Sequence, residues 1–90
     1  MTSLYQITGR VQGVGFRAYV ASVAEDLNVD GAVWNTRAGG VEAVVVHESA
    51  SVLEEFEARL RKGPGRVEAV SRTDGSLYQV GPGFEIWSTR

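Results

Sequence analysis

Hydrophobic residues along the chain follow two different periods, one typical of β-strands and the other of amphipathic helices. Short apolar runs bounded by glycine or polar residues predict four strands, at residues 4–9, 31–35, 41–46 and 67–70. Apolar residues recur every three or four positions at residues 16–27 and 51–60, which predicts one helix in each segment. Residues 84–86 predict a short terminal strand.

Residues with strong conformational preferences mark the ends of these elements. Asn28 stands where a left-handed C-cap would end the first helix. Ser51 and Glu54 have the spacing of a capping box, which predicts that the second helix opens at Ser51, and Gly63 predicts a left-handed cap at its end. The glycine-bearing segment 36–40 predicts a hairpin, so the two strands that it joins should be antiparallel neighbours.

The order strand, helix, strand, strand, helix, strand, with a short strand at the end, is that of the split βαβ plan. It predicts an α+β fold, a ferredoxin-like split βαβ sandwich whose antiparallel sheet carries two helices on one face. Residues 73–76 predict a turn or loop, and the sequence leaves the conformation of residues 71–83 otherwise open. A chain of 90 residues without repeats or a linker has room for one core, so residues 1–90 should form a single domain.

Composition and charge narrow the possible functions. Hydrophobic residues make up 43% of the chain and charged residues 22%, as in ordinary globular domains. The net charge of −2 provides no broad positive field, so nucleic acid is not an expected partner. The sequence contains no cysteine, which excludes disulfides and thiolate chemistry and fits a reducing compartment. It also contains no signal-like segment or membrane-spanning apolar run, and we therefore expect a cytoplasmic protein that does not bind a membrane.

A glycine-bearing segment, Val-Gln-Gly-Val-Gly-Phe-Arg at residues 11–17, joins the first predicted strand to the first predicted helix. Glycines allow successive backbone N–H groups to form a concave nest, and the helix N-terminus adds partial positive charge at the same point. Arg17 would add a planar guanidinium that matches a phosphoryl group, so the segment is a candidate anion site. The residues alone also allow a simpler interpretation, in which the glycines relieve a tight turn and Arg17 forms a surface ion pair.

Two separate sets of residues resemble the signatures of the acylphosphatase family. The first set comprises Ile7, Gly9, Val11, Gln12, Gly13, Val14, Phe16 and Arg17, and the second comprises Gly31, Val33, Asn35, Gly39 and Val41. The resemblance implies that the phosphate is held by the Arg17 side chain and by the backbone amides of Gln12, Gly13, Val14, Gly15, Phe16 and Arg17. It also implies that Asn35 orients the attacking water.

The resemblance further implies a hydrolase that splits the carboxyl–phosphate bond of small acyl phosphates without a metal or another cofactor. The chemistry agrees, because the leaving carboxylate is already a stable anion and needs no general acid. The amide of Asn35 cannot act as a base near pH 7, but its carbonyl can hold a water in line. We expect the chain to work as a monomer. Two alternatives remain, namely a non-catalytic module that only binds phosphate, and an interaction domain like the acylphosphatase-like parts of larger carbamoyl-handling enzymes.

Some residues depart from the family pattern, and for others the sequence allows more than one role. The positions before and after Val33, usually aromatic and basic in the family, are Ala32 and Trp34. Both side chains should point to one face of the strand. The aromatic side chain would then have moved two residues along that face, and the basic side chain near the mouth of the site would be lost. Trp34 could stack on an acyl group or simply pack in the core. Asn35 could be a turn residue, and His47, the single histidine, is assigned no role.

Overall fold

The computed structural model describes residues 1–75 and 78–90. The described residues form strands and helices in the predicted order. The strands are β1 (Thr2–Arg10), β2 (Asp30–Asn35), β3 (Val41–Val46), β4 (Arg66–Asp74) and β5 (Phe84–Ile86), and the helices are α1 (Phe16–Leu27) and α2 (Ala50–Leu60). Within the described residues, neither helix is long and apolar enough to cross a bilayer.

The strands form one sheet in the order β4-β1-β3-β2-β5. β1 pairs antiparallel with both β3 and β4, and β2 pairs antiparallel with β3, which confirms the predicted hairpin. β5 instead lies parallel to β2, with Phe84 opposite Gly31 and Ile86 opposite Val33. The prediction of an antiparallel sheet therefore holds for four strands only, because the chain after β4 returns to the free edge of β2 and makes the sheet mixed.

The main core lies between the two helices and one face of the sheet. Inward-facing residues alternate along the strands and recur on one face of each helix, as the two hydrophobic periods predict. This core includes Tyr5, Ile7, Val33, Val41, Val45, Phe16, Val20, Val23, Leu53, Phe56 and Leu60. The hydroxyl of Tyr5 donates to the Leu53 carbonyl at 3.1 Å and so ties β1 to α2. Both helices cover the same face, which confirms the ferredoxin-like α+β sandwich.

The opposite face of the sheet carries a second apolar cluster, built on Trp34. This residue is fully buried, with its ring centroid 5.2 Å from that of Trp87 and 4.6 Å from that of Tyr78. Its indole N–H donates to a carboxylate oxygen of Glu42 at 3.2 Å. Ala32 lies in the same cluster, as the strand alternation predicts. Trp34 therefore packs in the core and is not available to stack on an acyl group.

The boundaries of the helices agree with the sequence at α1 but not at the start of α2. Asn28 adopts the left-handed conformation, with φ 58° and ψ 45°, and ends α1 as predicted. The N-cap of α2 is Ser49 and not Ser51, because the Oγ atom of Ser49 accepts a hydrogen bond from the Val52 N–H at 3.4 Å. The predicted capping box at Ser51 is therefore wrong by two residues, and α2 has a simple side-chain cap instead.

The chain after α2 also departs from the prediction. Gly63 does not adopt a left-handed conformation, so the predicted cap is wrong. A Cβ at this position would collide with the ring of Phe16, so close packing requires the glycine instead. β4 stays paired with β1 as far as Asp74, and Thr73 and Asp74 therefore belong to a strand and not to the predicted turn. Ser76, the last residue of that predicted turn, lies outside the described residues.

The position of the α2 cap can be tested with two serine substitutions. Ser49→Ala removes the oxygen that accepts the Val52 N–H and should lower the free energy of unfolding by about 1 kcal/mol. Ser51→Ala removes only the hydroxyl that shares a hydrogen bond of 2.9 Å with the Ser49 Oγ atom, leaves the bond from the Val52 N–H in place, and should lower it by less than about 0.5 kcal/mol. Urea unfolding midpoints at equal m-values measure both changes. A larger loss for Ser51→Ala than for Ser49→Ala would restore the capping box that the sequence predicts.

Candidate active site

The segment between β1 and α1 turns through two glycines with positive φ. Gly13 has a φ of 75°, and Gly15, the N-cap of α1, has a φ of 80° and a ψ of 20°. These angles lie in the left-handed region, which glycine adopts more readily than residues with a Cβ. A Cβ at either position would have no described neighbour within 4 Å. The backbone conformation therefore requires both glycines, and the space beside them is open.

The backbone N–H groups of residues 12–18 find no hydrogen-bond acceptor within residues 1–75 and 78–90. The first helical bond of α1 is donated by the Tyr19 N–H to the Gly15 carbonyl at 3.0 Å. The N–H groups before it have no acceptor within the helix, as at every helix N-terminus, and Gly15 has no side chain that could cap them. Together with the positive end of the helix dipole, these N–H groups can attract an anion.

Arg17 lies in the first turn of α1, and its side chain is half-buried. Its Nη1 atom donates to the backbone carbonyl of Trp87 at 3.3 Å, which holds the guanidinium against the segment after β5. Among the ion pairs of the described residues, none involves Arg17. The alternative interpretation of Arg17 as half of a surface ion pair therefore does not hold for this part of the chain.

Asn35 is the last residue of β2 and is half-buried. Its backbone is fixed on both sides, because it lies opposite Val41 in the sheet and its carbonyl accepts a hydrogen bond from the Arg90 N–H at 3.0 Å. Its carboxamide makes no hydrogen bond to any other residue that the structure describes. The position of Asn35 is thus set by its backbone, and its side-chain donor and acceptor groups have no partner among the described residues.

Gln12 connects the loop after β1 to the hairpin after β2. Its Nε2 atom donates to the carbonyls of Thr36 and Gly40, both at 2.8 Å. Since Thr36 follows Asn35 directly, this pair of bonds holds the end of β2 beside the loop. The sequence predicts only that the backbone amide of Gln12 binds substrate, and this role of its side chain is not visible in the sequence.

A pocket of about 210 Å³ lies where the loop, the start of α1 and the end of β2 meet. It is lined by Val11, Gly13, Gly15, Phe16, Arg17, Ala18, Asn35 and Ile86. Of the site residues predicted from the sequence, Gly13, Gly15, Phe16, Arg17 and Asn35 are thus brought together, whereas Gln12 and Val14 are not among the lining residues. Arg17 and Asn35, which the sequence predicts to cooperate, therefore line the same small pocket.

Three residues near this pocket are missed by sequence reasoning. Ala18 directly follows the predicted loop at residues 11–17, and its place in the first turn of α1 could have suggested it. Ile86 and Trp87 come close only because β5 pairs with β2, a contact between residues about fifty positions apart. The local sequence pattern carries no signal for that pairing.

His47 and the acidic residues lie outside the pocket wall. His47 follows β3 at the end opposite Val41, and its Nδ1 atom accepts a hydrogen bond from the Ser49 N–H at 2.9 Å. It therefore helps to shape the entry into α2. Within the described residues, no group of three or more histidine, aspartate or glutamate side chains is placed to hold a metal ion.

Comparison with known proteins identifies the family and supports the fold. The sequence model of the Acylphosphatase family matches residues 4–86. An acylphosphatase of Rhodopseudomonas palustris (strain ATCC BAA-98 / CGA009) is 46% identical, over 92% of this chain and 90% of its own length. The chain therefore belongs to the acylphosphatase family, as the two sequence signatures indicate, and to the hydrolases.

Solved structures extend the comparison to the fold. The crystal structure of acylphosphatase from Bacillus subtilis matches with a TM-score of 0.85 and 30% identity, covering 96% of this chain and 97% of that one. The structure of HypF from T. kodakarensis matches with a TM-score of 0.80 and 26% identity, covering 100% of this chain but 12% of that one. The similarity to acylphosphatases thus spans nearly the whole length of both partners, whereas HypF is a much longer chain.

Proposed function

We propose that this chain hydrolyses small acyl phosphates in the pocket between the loop, α1 and the end of β2. One observation supports the proposal: Gly13, Gly15, Phe16, Arg17 and Asn35 line one pocket. Within the described residues, the N–H groups of residues 12–18 have no acceptor, Arg17 has no carboxylate partner and the Asn35 carboxamide has no hydrogen-bond partner. These groups complement a doubly charged phosphoryl group beside a water molecule.

In this proposal the phosphoryl group binds to the loop amides and to Arg17. Fixed backbone N–H groups and the positive end of α1 stabilise its equatorial oxygens, and the guanidinium adds a full charge. Because these donors are in place before the substrate arrives, they need no reorganisation as charge develops in the transition state. A metal ion is not required for that stabilisation, and we propose that the reaction proceeds without one.

Asn35 holds the attacking water through its side-chain carbonyl oxygen, in line with the bond that breaks. The water oxygen forms a bond to phosphorus, and the bond from phosphorus to the carboxyl oxygen breaks. The bond electrons leave with the carboxylate, which is stable at neutral pH without a proton. One proton of the water passes to a phosphoryl oxygen, so the products are a carboxylate and dihydrogen phosphate.

Hydrolysis of benzoyl phosphate in the presence of EDTA tests this proposal. We expect release of benzoate and inorganic phosphate in equal amounts, at a rate that the chelator does not change. The competing candidate, a module that binds phosphate without turnover, is favoured if calorimetry detects phosphate binding but no benzoate is released above the uncatalysed rate. Loss of activity with EDTA and its return with a divalent cation would contradict the metal-independent mechanism.

We infer in addition that the chain acts in the cytoplasm, as a monomer, on small molecules and not on nucleic acid. The net charge of −2 supports the last point, and the absence of cysteine is compatible with a reducing compartment. Light scattering at micromolar concentration should give a single species near the chain mass of 9.7 kDa. A species of twice that mass would contradict the monomer.

A further inference from the structure

A second and larger cavity, of about 510 Å³, lies between α1 and β5 next to the candidate active site. Ala18 and Ile86 line both cavities, so the two spaces meet at these residues. α1 begins at the phosphate pocket and runs away from it, and β5 borders the same space from the edge of the sheet. We call this space the α1–β5 groove. Its only described connection to the pocket is through Ala18 and Ile86.

The part of the α1–β5 groove nearest the pocket is apolar. Ile86 is 50% exposed, one of few large hydrophobic residues in the described chain that remain so accessible. Ala18 and Ala21 are one helical turn apart on α1 and present small side chains, which leave room for a ligand between the helix and β5. Phe84 lines the groove further along β5 and is half-buried. An apolar surface beside a polar pocket matches a ligand with a charged head and a hydrocarbon body.

The far end of the α1–β5 groove is acidic. Glu25 is seven residues after Ala18, about 10 Å further along α1 at the helical rise. Asp30, the first residue of β2, also lines the groove and accepts a hydrogen bond from the Gly83 N–H at 2.8 Å through Oδ1, which fixes its carboxylate. Arg59 lies near Glu25 but is paired with Asp26 at 2.6 Å. The groove therefore ends in negative charge that the described cations do not fully offset.

We infer that the α1–β5 groove holds the acyl group of the substrate and selects uncharged hydrocarbon acyl groups over those that carry a second anionic group. The inference rests on the proposed function, because the phosphoryl group must occupy the Arg17 pocket for the acyl group to project past Ala18 and Ile86. Ile86 is then the residue that determines preference for apolar acyl groups. Glu25 and Asp30 repel a distal carboxylate or phosphate.

The apolar part of this inference is tested with Ile86→Ala and two substrates. Acetyl phosphate is too short to fill the groove, whereas the ring of benzoyl phosphate should contact Ile86. Because Ile86 also lines the phosphate pocket, the test compares the two substrates: we expect Ile86→Ala to lower kcat/KM for benzoyl phosphate about tenfold more than kcat/KM for acetyl phosphate. Ile86→Val keeps most of the contact, so its kcat/KM should stay within about threefold of that of the unmodified protein for both substrates. Equal loss on both substrates, or no loss on either, would overturn the groove assignment.

The charged part is tested with benzoyl phosphate and 4-carboxybenzoyl phosphate, which differ only in a distal carboxylate. The unmodified protein should prefer benzoyl phosphate by about tenfold or more in kcat/KM, and Glu25→Gln should narrow that ratio by about threefold. Glu54→Gln makes the same change in charge on α2, where Glu54 lines a different cavity, and should leave the ratio unchanged. A ratio near one, or an equal effect of both variants, would overturn the inference.

The acetyl phosphate rate separates this inference from the proposed function. If acetyl phosphate is hydrolysed and the substrate ratios do not respond to Ile86 and Glu25, only the groove is wrong. If the folded, unmodified protein hydrolyses neither acetyl nor benzoyl phosphate, the proposed function fails and the groove inference fails with it.

Discussion

Arg17→Ala is expected to abolish acyl phosphate hydrolysis and phosphate binding together, with a loss in kcat/KM of at least about a thousandfold. The guanidinium supplies a full positive charge and two parallel donors, which the loop amides alone cannot provide. We propose that it contacts the phosphoryl group in the bound substrate and more strongly in the transition state, so both KM and kcat should worsen. Hydrolysis of benzoyl phosphate and competitive inhibition by inorganic phosphate measure the two effects.

Two other arginine variants make this result interpretable. Arg17→Lys keeps the charge but loses the planar fork, and should still reduce kcat/KM by about tenfold to a hundredfold. Arg61→Ala removes an exposed guanidinium that pairs with Glu57 on α2 and should leave activity unchanged. Arg17→Ala also removes the hydrogen bond to Trp87, so circular dichroism and the melting temperature must show that the variant is folded. A folded Arg17→Ala protein that kept a tenth of the activity would exclude Arg17 from the site.

Most of the fold could be predicted because its elements are specified by nearby residues. The apolar run at Val41–Val46 and the helical period at Phe16–Leu27 each indicate a local conformation, and the sequence predicts both with the correct ends. β5 itself was also predicted. Its parallel pairing with β2 was not, because strand order and direction depend on contacts between residues about fifty positions apart.

Where two nearby residues could perform the same task, the sequence did not decide between them. Ser49 and Ser51 can both cap a helix, and the glutamate three positions after Ser51 favoured the wrong one. Gly63 followed a helical segment as a left-handed cap would, but the ring of Phe16 requires a residue without a Cβ there. That requirement is tertiary, so no local preference could show it.

The candidate site also combines residues that the sequence predicts with residues that it does not. Gly13, Gly15 and Arg17 are close in sequence, and the loop and helix start that they form leave N–H groups without an acceptor among the described residues. Asn35 could be connected to them from the sequence only through the resemblance to a family. Ile86 could not be connected at all, because it reaches the pocket through the pairing of β5 with β2. The groups proposed to bind phosphate were therefore predictable, and the surface proposed to choose the acyl group was not.

Asn35→Ala is expected to lower kcat for acyl phosphate hydrolysis by about a hundredfold or more and to leave the affinity for inorganic phosphate within about twofold. The carboxamide is proposed to hold the water and not the phosphoryl group, so its loss should raise the barrier without weakening phosphate binding. The backbone carbonyl of Asn35 still accepts the Arg90 N–H in the variant, and the end of β2 should keep its place. Single-turnover rates and inhibition by phosphate separate the two quantities.

Asn35→Asp provides the sharper comparison, because the carboxylate keeps an oxygen that accepts a hydrogen bond from water but adds a negative charge beside the phosphoryl group. Its kcat should exceed that of Asn35→Ala, whereas its affinity for phosphate should fall about tenfold or more through repulsion between like charges. If Asn35 positions the water, Asn35→Asp should therefore have a higher kcat but a lower affinity for phosphate than Asn35→Ala. If both variants instead lose phosphate affinity in proportion to kcat, Asn35 binds the phosphoryl group directly, and the attacking water must be held by another group in the pocket.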